Sequence, residues 1–235
     1  MMTGSIKASP STATAEGGVE AVDRALAILA TFLTGRDRQT LAQLAAATGF
    51  YKSTILRLAR SLEKGGYLQR DTDGSFVLGS QPLRLSAVYK RGLRLEDQVR
   101  PVLRTLVAET GESASFFRRE GDSRLCLYRE ETARAIRDHV AEGDLLPIDR
   151  GAAAHVLTRA MSDREASATA PIVSIGERDP ETAAIAAAVH GHAGLVGALT
   201  LSGPRARFGP DRIAPMTLCL TEQARLLTQK LGGRW

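Results

Sequence analysis

The stretch TLAQLAAATGFYKSTILRLARSLEKGGYLQRDTDGSFVLG, residues 40–79, decides how the N-terminal part of the chain folds. Thr40 and Gln43 stand at the spacing of a capping box, in which each side chain satisfies an orphan backbone donor of the first helical turn. Leu41, Leu44 and Ala45 follow as a buried stripe, and Thr48 with Gly49 ends the helix. Ser53 supplies a cap or first-turn residue for a second helix, where Ile55, Leu58, Ala59 and Leu62 recur at the helical period. Thr54, Arg57, Ser61 and Lys64 make the opposite, polar face. Gly65 and Gly66 close this helix, and residues 67–69 and 76–78 flank the turn signal Asp73-Gly74, which predicts a hairpin. Two helices across a short turn and then a hairpin make a winged helix-turn-helix. The basic outer face of its second helix is the surface such a unit lays in a DNA groove, whereas a mere packing unit needs only the apolar stripe.

Outward from this core, GGVEAVDRALAILATFL places Val22, Ala25, Leu26, Leu29, Phe32 and Leu33 on one face of a preceding helix. The reading domain then spans 19–79. Residues 1–18 are small and polar without an apolar centre, and read as a disordered tail rather than a signal peptide. A mixed basic and apolar linker helix covers 80–96, with Leu83, Leu85, Val88 and Leu93 as a stripe for a partner subunit. Val99, Val102, Leu103, Leu106 and Val107 continue in helical register; Pro101, tolerated in a first turn, predicts a new helix from about Asp97. From Gly111 the period changes. Residues 112–119, 123–130 and 132–142 predict strands, 151–161 an Ala-rich helix, 171–175, 182–190 and 195–202 three more strands, and 213–231 a closing helix. The expected class is α+β, with a six-stranded antiparallel sheet flanked by helices over 97–235.

Charge supports this division of labour. Between residues 51 and 94 stand nine Lys and Arg against three Asp and Glu, a local excess larger than the +5 of all 235 residues. The basic run lies on and just after the reading helix, where phosphates would be met. No apolar run approaches a membrane span, so a cytoplasmic protein is expected. Cys126 and Cys219 are far apart, lack metal-ligand spacing, and read as buried thiols.

No G-x-S-x-G elbow, phosphate-binding loop, dinucleotide fingerprint or H-E-x-x-H is present, so no catalytic residue, cofactor or metal is expected. His190-Gly-His192 reads as a hairpin turn between strands, and His155 on the Ala-rich helix as structural or superficial. The charged segment GERDP, residues 176–180, reads equally as a salt-bridged loop or as one wall of a ligand site. Small residues such as Ala183, Ala184, Thr200 and Ser202 on the neighbouring strands leave room above the sheet for a small acid.

Beyond its tail the chain resembles the IclR family of bacterial transcriptional regulators. The resemblance rests on VDRALAILATF, KSTILRLARSLEKGGYLQRD, the wing end FVLG, LLPIDRGAAAHVL, GERDPETAAIAAAV and LVGALTLSGPRARF taken together. It implies an N-terminal winged helix-turn-helix joined by a helix to a GAF-like effector and oligomerisation domain, in dimers that often pair into tetramers. It implies also a double-stranded DNA operator, usually of a catabolic operon that the protein represses or activates, with repression expected here, under the control of a small organic or aromatic acid. Carried over, Arg24 and Arg57 contact DNA, with Lys52, Ser53 and Thr54 presented at the helix start; Thr40, Tyr51 and Arg60 complete the candidate set. Effector contacts fall at Gly151, Ala152, Ser174, Ala184, Thr200 and Ser202. Arg137 joins them on a separate argument: a guanidinium on the strand expected over 132–142 suits a carboxylate.

Three features depart from the family pattern. Phe50-Tyr51 replaces the usual Leu-Pro or Leu-Ser before the reading helix, and Phe76-Val77 replaces a Tyr-Arg pair that would contact phosphate. Between Met161 and Pro171 the chain keeps only SDREASATA, where the family carries on the order of tens more residues with a helix beside the pocket. The shortening leaves the pocket open or differently covered. The alternative reading is therefore a ligand-independent DNA-binding regulator whose C-terminal domain serves only for oligomerisation.

Overall fold

A computed structural model describes residues 18–93, 95–162 and 170–235. The tail up to residue 17 and most of the shortened segment, 163–169, lie outside the described residues. The chain divides into two compact units between Val88 and Tyr89.

In the first unit α1 (Glu20–Ala30) tightens into a 3-10 turn over Thr31–Thr34, followed by β1 (Arg38–Gln39), α2 (Leu41–Thr48), α3 (Lys52–Lys64), β2 (Leu68–Arg70) and β3 (Phe76–Leu78). The capping box forms at Thr40 and Gln43, and Gly49 ends α2 at φ +73°, a conformation only glycine adopts without strain. Ile55, Leu58, Ala59 and Leu62 of α3 are buried with Leu44, Leu68 and Phe76. β3 is the centre of a three-stranded sheet, flanked by β2 and by β1. Two-residue β1 carries no periodicity and was not expected. The stripe on α1 is also rotated from the expected one: Ile28 and Phe32 are buried and Ala25 and Leu29 packed beside them, while Val22, Leu26 and Leu33 are exposed. Residues 25, 28, 29 and 32 follow the i, i+3, i+4, i+7 pattern, so Ile28 outcompetes its neighbours for the core.

Helix α4 (Gln81–Leu93) crosses the division between the units. Its Leu83, Leu85 and Val88 are exposed. The second unit runs α5 (Glu96–Thr110), β4 (Ser113–Glu120), β5 (Ser123–Glu130), β6 (Leu145–Pro147), α6 (Ala152–Ser162), β7 (Ile172–Ile175), β8 (Thr182–Gly191), β9 (Gly194–Pro204) and α7 (Pro210–Lys230). The strands form one antiparallel sheet in the order β6-β5-β4-β9-β8-β7. Pro101 lies in the sixth position of α5, one residue deeper than a start at Asp97 would put it. Alternation sorts the sheet: Leu199 and Leu201 of β9 and Ile185, Ala187 and Val189 of β8 pack with α5 and α7. Ala198, Ala186 and Ala188 face the other way, with α6.

One expected strand is absent. Residues 131–144 form no strand, and the sheet edge beside β5 is β6 instead. Side-chain partners of the backbone explain this: Glu142 accepts from the Arg129 amide at 2.9 Å and Asp144 from the Ala141 amide at 2.7 Å. Asp138 turns inward to Arg129. A segment whose carboxylates bind backbone and a buried cation cannot present an alternating face.

Candidate functional site

In the first unit α3 offers water an uninterrupted polar face. Lys52, Ser53, Arg57 and Arg60 are exposed and Thr54 half-buried, and Tyr51, just before the helix, is 85% exposed. None of Lys52, Arg57 and Arg60 forms an ion pair among the described residues, so their charges face solvent rather than a carboxylate. Arg24 is paired with Glu20 and lies 5.7 Å from the centre of the Phe50 ring. The Thr40 hydroxyl is engaged at the start of α2, so its first duty is to the helix. On the wing Phe76 is buried, and Arg70, 4.8 Å over that ring, is the basic residue that the strand offers.

The second unit holds a pocket between the sheet, the start of α6 and the β7–β8 turn. It encloses about 450 Å³ of empty space, mouth included, though the centre of a water-sized sphere reaches only about 40 Å³ of it, so the fit is close. Gly151, Ala152, Ser174, Ala184, Thr200 and Ser202 all line it. They come from four elements, the start of α6, β7, β8 and β9, and only the sheet order and the packing of α6 on the sheet join them. Arg137 does not line it: residues 132–142 are no strand, and its guanidinium is turned to Glu131 at 2.9 Å. The arginines in the wall are instead Arg124 and Arg178.

The polar groups of the pocket are arranged around two carboxylates. Asp138 receives Arg129 Nη2 at 2.7 Å and the Ser202 hydroxyl at 2.9 Å, with Arg178 at 3.5 Å. Arg129 itself is buried, with its Nη1 donating to Ser115 at 2.8 Å. Glu177 accepts from the Gly151 amide at 2.9 Å, and the same oxygen stands 2.6 Å from His155 Nε2. The Gly151 amide, first, and His155 hold the Glu177 carboxyl below its usual range. The donor at the start of α6 is thus already filled by a side chain of GERDP. Thr200, 3% exposed, has a hydroxyl with no hydrogen-bond partner.

Several wall residues escaped the sequence reading, among them Phe117, Arg124, Asp138, Val140 and Leu146. Asp138 sits in a segment with a strand-like pattern and no strand, and no local signal marks it. Glu177 and Arg178 belong to the charged segment that the sequence singled out. His155 is superficial and His192 exposed in the β8–β9 turn, and the described residues hold no cluster of metal-ligating side chains. Cys126 and Cys219 are free; burial pushes both thiols up to about 12, although Cys219 is only half-buried. No described helix is long and apolar enough to cross a membrane.

A bare basic helix in a winged helix-turn-helix, carried by a chain whose other unit is a sheet with a polar pocket, defines a helix-turn-helix regulator of transcription. The family model of the IclR helix-turn-helix domain matches residues 21–72. Over 242 residues the chain is 27% identical to the HTH-type transcriptional regulator KipR of Bacillus subtilis, covering 90% of this chain and 96% of that one. It is 22% identical to the HTH-type transcriptional repressor AllR of Klebsiella pneumoniae, over 93% of this chain and 92% of the other. An IclR homolog from Microbacterium hydrocarbonoxydans, solved with 4-hydroxybenzoate, superposes with a TM-score of 0.77 at 18% identity, covering 90% of this chain and 98% of that one. Residues 21–72 thus carry the IclR helix-turn-helix domain, and the chain as a whole is similar to HTH-type transcriptional regulators.

Proposed function

We propose that the protein represses a catabolic operon in the cytoplasm, binding a pseudo-palindromic operator as a homodimer, and that a small organic acid in the sheet pocket controls it. On the DNA side the support is the unpaired basic face of α3, with Arg57 at its centre and Lys52, Ser53 and Thr54 at its start. Such a face meets phosphates and base edges, and a two-fold pair of them reads two half-sites. Arg24 and Tyr51 flank it, and Arg60 extends it towards the wing. The exposed Leu83, Leu85 and Val88 of α4 supply an apolar surface for a second subunit.

The observation that carries the effector reading is the Thr200 hydroxyl, buried without a partner in a narrow pocket beside Ser202, Ser174 and Ala184. A buried polar group left unpaired costs stability that a ligand restores. The relative solved with 4-hydroxybenzoate makes an aromatic acid a natural first candidate.

The experiment is a gel shift on the intergenic DNA beside the gene, with and without a panel of aliphatic and aromatic acids, paired with melting curves. A ligand at a hundred times its dissociation constant adds about 2.7 kcal/mol of stability, an easily measured shift. The expected result is an acid that both raises the melting temperature and changes DNA affinity. DNA binding without any active acid would leave the ligand-independent regulator as the better reading.

A further inference from the structure

Two arginines are buried among the described residues, and they are treated differently. Arg129 has Asp138 at 2.7 Å. Arg124, 3% exposed on β5, has no carboxylate within ion-pair distance among the described residues. Its Nη1 donates to the carbonyls of Pro147 and of Arg150, the latter at 2.8 Å, and its guanidinium carbon lies 5.6 Å from the centre of the Phe117 ring. Its Nε is buried with no partner at all. Gly151, at φ +92°, leaves the space beside it: a Cβ there would come within 3.3 Å of Arg124 Nη2. Burial, reinforced by the nearby Arg178 charge and opposed by Asp149, lowers Arg124 to about 10, so it still carries its charge at neutral pH. A buried cation held by neutral carbonyls alone is costly, and the pocket is the side from which compensation can come.

Resting on the effector reading above, we infer that the carboxylate of the acid seats on Arg124, along its free Nε edge, and not at the start of α6. That helix start already has its anion, the Glu177 carboxylate on the Gly151 amide. Nε and Nη2 of one guanidinium present parallel donors matched to the two oxygens of a carboxylate. Three contacts hold Arg124, the two carbonyls on Nη1 and the ring of Phe117, so the fork is oriented before the ligand arrives. The remainder of the acid then extends over the small residues of β8 and β9, where Thr200 offers its unused hydroxyl. Selectivity follows: the site takes carboxylic acids and rejects their amides, because a neutral amide leaves the cation uncompensated.

The test compares the full-length wild type with Arg124→Met and Arg124→Lys against benzoate, 4-hydroxybenzoate, propionate and pyruvate, and against the corresponding amides at matched ionic strength. Binding is read by calorimetry and by melting temperature. The expected result is that at least one acid binds the wild type at least tenfold more tightly than its amide, loses at least tenfold in Arg124→Met, and recovers part of this in Arg124→Lys. Ligand-free Arg124→Met should melt no lower than the wild type, since it removes an unpaired buried charge. If that variant fails to fold, the 15Nε resonance of Arg124 in the wild type decides, because it must move with the acid and stay put with the amide. Equal affinity of wild type and Arg124→Met, an amide that binds as well as its acid, or an unmoved resonance on acid binding overturns the inference and leaves the effector reading standing. A wild type that binds none of the acids overturns both.

Discussion

Helix α3 of the first unit and the sheet unit use their arginines in opposite ways. On α3, Arg57 and Arg60 stand in water without carboxylate partners, their charge available to a polyanion. In the sheet unit most arginines are turned onto carboxylates: Arg129 to Asp138, Arg207 to both oxygens of Glu112 at 2.7 Å, Arg100 to Glu96 and Glu142. Of the two buried arginines among the described residues, Arg124 is the one with no carboxylate at ion-pair distance. An exposed charge can be left free for a partner outside the fold, whereas a buried one must find its partner inside or wait for a ligand.

Asp138→Ala carries the largest expected effect. The carboxylate is 1% exposed and the Arg129 side chain 3%. Removing one partner of such a pair strands the other in the interior, and we expect a loss of about 3–5 kcal/mol in chemical denaturation. A loss below 1 kcal/mol would mean that water reaches Arg129 readily and that the interior charges are not confined. The counterpart in the first unit is Arg57→Ala. This should leave the melting temperature unchanged within error and weaken operator binding by about 1–3 kcal/mol if the guanidinium meets a base edge, or lower the salt slope by about one if it meets phosphate. Equal binding by variant and wild type in a gel shift removes Arg57 from the reading surface.

Thr40→Ala removes the cap on α2 and should cost about 1 kcal/mol, seen as faster amide exchange in that helix. DNA affinity should fall no further than the helix frays, because the hydroxyl is already engaged with Gln43; a larger fall would give Thr40 a DNA contact as well. For Glu177 the sign is fixed by its lowered carboxyl. Its contribution to stability is complete above the ordinary value of 4.5 and fades as pH drops through the lower folded value. The melting difference between wild type and Glu177→Gln should therefore be largest near neutrality and shrink in acid. A difference that grows on acidification contradicts the hydrogen bond to Gly151.

The reading unit was legible because its signals are local. A capping box spans three residues, the α3 stripe repeats at three and four, and a hairpin turn announces itself in two. Charge was legible for the same reason, since an exposed basic face needs no partner to be recognised. Legibility failed at β1, too short to carry a period, and on α1, where Ile28 shifted the buried face.

The pocket stands on the other footing. Its small residues on β8 and β9 and the GERDP segment could be picked out as a set, but not what they would face. Arg137 looked like the cation of the site because an alternating pattern over 132–142 resembles a strand. In the structure the Arg129–Asp138 pair and the backbone bonds of Glu142 and Asp144 outweigh a strand ladder there. Local sequence signals were enough for the winged helix-turn-helix, the α+β class and the side of the sheet with space. Only the assembled fold shows that, among the described residues, Arg124 is the buried cation without a carboxylate at ion-pair distance, that Glu177 fills the start of α6, and that Thr200 is left unpaired. Each of these depends on groups brought together by sheet order across twenty or more residues, and the free energy of burying a charge is set by those neighbours rather than by the residue's own type.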